Sequence, residues 1–199
     1  MSEPLLHLAS ASPRRREILA AIGVGFTFAG VDIDETPATG ERATNLVMRL
    51  AGEKATAGNR SQQNGMPVIG ADTIVLAGDR ILGKPASKED ALEMLALLSD
   101  RTHRVLTAVA IISADDMKSV LSDTKVRFRE ITPDEASAYW QSGEPEDKAG
   151  AYAIQGKGGM FVESLSGSYS GVVGLPVFET AALLRWAGIS VLAEAADQA

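Results

Sequence analysis

Strand and helix signals alternate along this chain, and that predicts an α/β fold. Two long strands, Arg104 to Ile112 and Ser119 to Arg129, are joined by the polar turn Ala114-Asp115-Asp116-Met117. So short a link makes the pair antiparallel and the sheet mixed rather than purely parallel. Hydrophobic residues make up 45% of the 199, enough for a real core in one large domain or two small lobes.

The elements follow in order. Leu5, Leu6, Leu8 and Ala9 form a short buried strand that runs into Ser10-Ala11-Ser12-Pro13-Arg14-Arg15-Arg16. Ser12 suits an N-cap and Pro13 the first helical position. Ile18, Leu19 and Ile22 then mark a helical apolar stripe. Gly23 to Gly25 turns the chain into a strand at Phe26 to Ala29, and the acidic segment Val31 to Glu35 alternates in part. Asn45 to Ala57 reads as a helix with Leu46, Val47, Leu50 and Ala51 inward. Pro67 to Ala71 is a buried strand expected to stop at Asp72-Thr73 and resume at Ile74 to Leu76, with a hairpin at Gly78-Asp79. Ser87 caps the next helix, with Asp90 as its acidic partner. Thr132-Pro133-Asp134-Glu135 is a second helix start. Gly143 to Gly159 is Gly-rich and irregular, Met160 to Val162 a short strand, Ser166 to Gly171 a loop, and Pro176 to Ala187 the last helix. The Ala-rich tail after Val191 is expected to fray.

A net charge of −7 argues against a nucleic-acid polymer as partner, although a small phosphorylated ligand needs only a local basic pocket. With no cysteine there is no disulfide framework and no thiolate chemistry. His7 and His103 lie far apart and suggest no His-rich metal site. No signal peptide and no bilayer-length apolar run is visible, so the expectation is a cytoplasmic protein without a membrane partner.

Three arginines in the first turn of a helix oppose its dipole unless an anion offsets both. Free amides, a serine and guanidinium forks make a phosphate cradle there; a solvated Arg-rich helix start is the alternative. Asp72, at the expected strand end, is placed to hold a divalent cation or to take a proton from water, or else merely caps a turn. Pro85 holds Lys84 in a defined extended loop, and Lys54 lies on the polar side of its helix. Asp32, Asp34 and Glu35 cluster in one segment, and in a strand Asp32 and Asp34 share a face. Carboxylates with cations, and no histidine or cysteine, fit metal-assisted phosphoryl transfer. In Asp147-Lys148-Ala149-Gly150-Ala151-Tyr152-Ala153-Ile154-Gln155-Gly156, the glutamine offers a donor and an acceptor side by side, matching the N3–H and O4 edge of uracil or thymine.

Leu8 to Arg15, Gly70-Ala71-Asp72-Thr73, Gly83-Lys84-Pro85 and Asp147 to Gly156 together resemble the Maf family of nucleoside triphosphate pyrophosphatases. The resemblance implies an elongated mixed α/β fold like that of inosine triphosphatase, with two lobes around a cleft, often as a homodimer. It implies hydrolysis of a nucleoside triphosphate between the α and β phosphates with a divalent cation, Mg²⁺ or Mn²⁺. The proton-accepting aspartate falls on Asp72, the metal carboxylates on Glu35 and Asp72, and substrate contacts on Ser10, Ser12, Arg14, Arg15, Lys54, Thr73, Lys84 and Gln155. Arg14, Thr73 and Gln155 bear on base choice. Ile154-Gln155-Gly156 resembles the dTTP/UTP branch, whereas the 7-methyl-GTP branch carries glutamate at this position. Ala153 stands where related chains often have glycine. The alternatives are a pyrophosphatase for 7-methyl-GTP or other non-standard nucleotides, and a nucleotide-binding regulator of septum formation.

Overall fold

The computed structural model describes residues 4–62 and 65–192. From residue 193 onward the tail expected to fray lies outside the described residues. The chain runs β1 (Leu6–Ala9), α1 (Pro13–Ala21), β2 (Phe26–Ala29), α2 (Ala43–Ser61), β3 (Val68–Ala77), β4 (Arg80–Leu82), α3 (Lys88–Leu98), β5 (Thr102–Ser113) and β6 (Asp116–Phe128). Then come α4 (Pro133–Trp140), β7 (Val162–Ser166), α5 (Tyr169–Val173) and α6 (Val177–Trp186). The strands form one sheet in the order β2-β1-β3-β5-β6-β7, with β4 also beside β3. β1 is parallel to β2 and β3, and every other pairing is antiparallel, so the sheet is mixed as expected.

Two helix starts, those of α3 and α4, are as local chemistry predicts, whereas α2 is longer than the expected 45–57 and has no side-chain cap. Thr132 and Glu135 close a full capping box, and the Ser87 hydroxyl accepts the Asp90 amide while Asp90 accepts the Ala86 amide. The β5–β6 turn is tighter than expected, two residues with Ala114 at φ 53°. Three expectations need correcting. β3 does not break at Asp72; it runs unbroken because each residue from Val68 to Leu76 pairs with β5. Residues 31–35 form no strand, since the Asp34 carboxylate accepts the Thr36 amide at 2.9 Å and turns the chain. Residues 169–173, read as loop, form α5 because the Ser168 hydroxyl accepts the Gly171 amide and caps it. The last strand also starts later than expected, at Val162, after a 3-10 turn over Lys157–Phe161.

Alternation along the central strands divides the core. Ile69, Ala71, Val109 and Ile111 face Leu19, Leu183 and Leu184 of α1 and α6, whereas Ile74, Leu76, Leu106 and Ala108 face Val47, Ala51 and Ala55 of α2. A third cluster, with Leu95, Leu98, Phe128, Tyr139 and Phe161, lies under α3 and α4.

One opening in the sheet positions the site. On the edge opposite β5, β3 pairs with β1 only at Val68 and Ile69, and with β4 only from Val75. From Gly70 to Ile74 that edge has no strand partner among the described residues. Beside this edge α2 packs on the sheet face at backbone distance: a Cβ on Gly70 would lie 2.4 Å from the Ala55 nitrogen and 2.5 Å from the Ala51 oxygen. Glycine is required there by close approach, and the approach sets Lys54 beside Asp72. Gly70→Ala should therefore cost about 1–3 kcal/mol and lower activity by moving α2. Urea denaturation with matched assays checks this; an unchanged midpoint would show that α2 withdraws freely.

Candidate functional site

A cleft of about 810 Å³ opens over this gap. Ser10, Ser12, Arg14, Arg15, Glu35, Lys54, Asp72, Thr73, Lys84 and Gln155 all line it. They come from the β1–α1 junction, the loop after β2, α2, β3, the loop after β4 and the loop before the 3-10 turn. Asp32 and Asp34 do not line it. Asp72 and Thr73 are neighbours on a strand and so face opposite sides of the sheet; both reach the cleft because it wraps the open edge of β3.

On the α2 side, the Lys54 ammonium lies 2.6 Å from Glu35 Oε1 and 2.6 Å from Asp72 Oδ1. Its hydrogen bond, outweighing burial, holds the Glu35 carboxyl below its ordinary pKa. Asp72 Oδ2 has no protein partner among the described residues. On the other side, Arg15 Nε donates to the Gly174 carbonyl at 2.9 Å and its Nη1 to the Ser10 hydroxyl at 3.2 Å, with Thr73 Oγ1 3.5 Å from Nη2. Burial lowers the Arg15 pKa and the Asp72 charge opposes that shift. Thr73 is bonded to Thr107 at 3.0 Å, and Thr107 donates to the Gly171 carbonyl at 2.7 Å. Sequence reasoning missed Thr107, which sits in an apolar strand with nothing local to mark it.

The three arginines of α1 go separate ways. Arg14 spans the cleft to Asp147 at 3.3 Å, and Lys148 pairs with the same carboxylate. Arg15 turns inward, and Arg16 leaves the cleft to lie over Phe28, 4.3 Å from the ring centre. Ser12 occupies the N-cap position, but its hydroxyl makes no cap bond; instead its amide donates to the Ser10 hydroxyl at 3.2 Å. The Arg14 and Arg15 amides have no protein acceptor among the described residues, and neither does the Lys84 ammonium. The cleft therefore offers a helix N-terminus and unspent positive charge to an anion. Ala153 does not need a positive φ; the left-handed residues of this loop are Gly150, at φ 70°, and Ala151, at φ 57°.

Among the described residues there is no group of three or more His, Asp or Glu side chains that could hold a metal ion. Glu35 and Asp72 alone fit a hard cation that arrives with a polyphosphate, since Mg²⁺ is commonly held by one or two carboxylates plus phosphate oxygens and water. No helix among the described residues is long and apolar enough to cross a membrane.

The chain is 52% identical over 188 residues to the dTTP/UTP pyrophosphatase of Hahella chejuensis, covering 94% of each. It is 50% identical over 184 residues to that of Methylococcus capsulatus, covering 92% of this chain and 91% of the relative. Among solved structures, it resembles a dITP/XTP pyrophosphatase of Mycobacterium abscessus at a TM-score of 0.37 and 18% identity, over 62% of this chain and 72% of that one. The Ham1 protein of Staphylococcus aureus matches at a TM-score of 0.40 and 14% identity, over 62% and 71%. The family model described as Maf-like protein matches residues 5–187, so the chain belongs to the Maf family.

Proposed function

We propose that this chain is a nucleoside triphosphate pyrophosphatase that hydrolyses dTTP and UTP, and related modified pyrimidine nucleotides, to the monophosphate and pyrophosphate. The observation that carries the reading is identity near 50%, over more than nine-tenths of both chains, to relatives named for that activity. The cleft geometry supports it. The free amides of α1, with Arg14, Arg15 and Lys84, hold the phosphates, the serines Ser10 and Ser12 line the turn beneath them, and Lys54 balances charge beside Glu35 and Asp72. Asp72 Oδ2, which has no protein partner among the described residues, takes a proton from water. The water oxygen bonds to the α phosphorus, the bond to the bridging oxygen breaks, and pyrophosphate leaves. Glu35 and Asp72 would hold a divalent cation, Mg²⁺ or Mn²⁺, which when bound neutralises phosphate charge. The Gln155 amide reads the N3–H and O4 edge, and Thr73 and Arg14, which line the same cleft, also bear on base choice.

The reading includes a single domain of two lobes around the cleft, a homodimer and a cytoplasmic setting. Light scattering after size exclusion should return twice the chain mass; the single-chain mass would remove the dimer. The function itself is tested by pyrophosphate release from dTTP, UTP, CTP, GTP, 7-methyl-GTP and ITP, with Mg²⁺ and with chelator. The expected result is metal-dependent release favouring dTTP and UTP. Purine preference would overturn the base assignment, and a folded protein releasing nothing would overturn the enzyme.

A further inference from the structure

The loop that carries Gln155 is held from behind by one carboxylate. Glu144 Oε1 accepts the Tyr139 hydroxyl at 2.6 Å and the Gly158 amide at 3.0 Å, and Oε2 accepts the Lys157 amide at 3.0 Å. The Tyr139 oxygen in turn accepts the Ala153 amide at 3.0 Å. Lys157 and Gly158 open the 3-10 turn Lys157–Phe161, and its N-cap is Gly156, which has no side chain to cap it. Their amides are the orphan donors of that turn. Glu144 supplies the missing acceptor from outside it. Tyr139 is itself fixed on α4, with its ring edge-on to Phe161 at 5.1 Å.

The carboxylate is seated against the backbone beside Gln155. A Cβ on Gly156 would lie 2.2 Å from Glu144 Oε2. Gln155 is exposed at the cleft, and its amide makes no hydrogen bond to the protein among the described residues. The backbone that carries it therefore sets where the side chain starts and which part of the cleft its amide can reach.

We propose that Glu144 is a positioning residue for base recognition: with Tyr139 it fixes the backbone on both sides of Gln155 and so aims the amide that reads the pyrimidine. This rests on the reading of Gln155 as the base-reading group. Glu144 touches neither phosphate nor reacting atoms and has no part in the chemical step. A carboxylate accepts only, so its two oxygens serve all three donors at once. Burial pushes its pKa up, but the Tyr139 hydroxyl and the Gly158 and Lys157 amides more than offset this, so the group stays ionised. A glutamine at this position keeps one acceptor oxygen and turns an NH₂ toward at least one donor, which leaves that donor unpaired. The turn then loosens, and Gln155 samples orientations that no longer match one base edge.

The test compares kcat/KM for UTP and CTP in wild type, Glu144→Gln, Tyr139→Phe, Gly156→Ala and Gln155→Ala. CTP presents an amino group and a bare N3, the inverse of uracil at both positions. Glu144→Gln should lower the UTP-to-CTP ratio roughly tenfold, chiefly through a higher KM for UTP, with kcat on UTP within about threefold of wild type. Tyr139→Phe keeps the ring packing and removes one donor, and Gly156→Ala displaces the same carboxylate by crowding; either reads the ratio if Glu144→Gln does not fold. A merely structural role lowers the melting temperature or the active fraction for every nucleotide alike and leaves the ratio intact, and that result overturns the proposal. Loss of the ratio in Gln155→Ala but not in the three loop variants overturns the positioning alone. A wild-type ratio retained in Gln155→Ala removes Gln155 as the base reader, and the inference with it.

Discussion

Replacing Asp72 by asparagine should lower kcat for UTP by about 10²–10⁴-fold while leaving the melting temperature and the KM near those of the wild type. The geometry separates the two oxygens of this carboxylate. Oδ1 is bonded to Lys54 at 2.6 Å, and Oδ2 has no protein partner among the described residues, on a side chain that lines the cleft. Asparagine has the same shape and can still offer its oxygen to Lys54, so the link from β3 to α2 persists. Its amide nitrogen then takes the place of Oδ2, and an amide NH₂ cannot accept a proton. Phosphate binding rests on other groups, chiefly Arg14, Arg15, Lys84 and the start of α1, so the loss should fall on kcat rather than KM. Steady-state pyrophosphate release with a parallel thermal melt measures both. An Mg²⁺ titration separates the two duties of Asp72. A deficit abolished by saturating Mg²⁺ would mean that the side chain only holds the cation; a deficit that persists supports proton transfer. Unchanged kcat removes Asp72 from the mechanism.

Local chemistry was legible in the sequence, and long-range pairing was not. Thr132 with Glu135, and Ser87 with the Asp90 amide, are caps made within four residues, and each forms where the pattern puts it. The antiparallel pair β5–β6 was legible because one short polar turn joins two long runs with strand character. The break expected in β3 was wrong because Asp72-Thr73 looks like punctuation inside an apolar strand. Pairing with β5, thirty residues and more away, carries the backbone straight through it. α5 was missed because its start depends on the hydroxyl of Ser168 in a stretch whose composition reads as loop. The ten predicted site residues meet in one cleft even though they come from six places in the chain. What brings them together, the gap between β1 and β4 along β3, is a property of sheet topology that no local motif records. The same holds for Thr107 and Glu144. Each acts through a hydrogen bond to a residue distant in sequence, and neither carries a signal of its own.

Lys54→Met should be the most damaging substitution in the cleft after Asp72→Asn, and Mg²⁺ should partly mend its stability while leaving its turnover low. The Lys54 side chain is 12% exposed and that of Asp72 10%, so the pair is largely out of water, with Glu35 as a second, more exposed partner of the same ammonium. Removing one member of such a pair leaves a carboxylate uncompensated, at a cost of about 3–5 kcal/mol. Methionine keeps the unbranched stem, so packing of α2 against β3 is little disturbed and the loss is that of the charge. A divalent cation taken up by Glu35 and Asp72 restores a positive charge where the ammonium was. Linkage then makes the melting temperature of the variant rise more steeply with Mg²⁺ than that of the wild type, because the folded state gains a tighter site. Turnover does not recover, since the ammonium also balances the phosphate oxygens as charge develops on the leaving pyrophosphate. Loss of one such fixed charge lowers kcat on the order of 10²–10³-fold. Thermal melts across an Mg²⁺ series, with kcat measured at saturating Mg²⁺, test both halves. Parallel melting curves for variant and wild type would show that Glu35 and Asp72 do not hold the cation. Full recovery of kcat at high Mg²⁺ would show that Lys54 serves only to hold the two carboxylates.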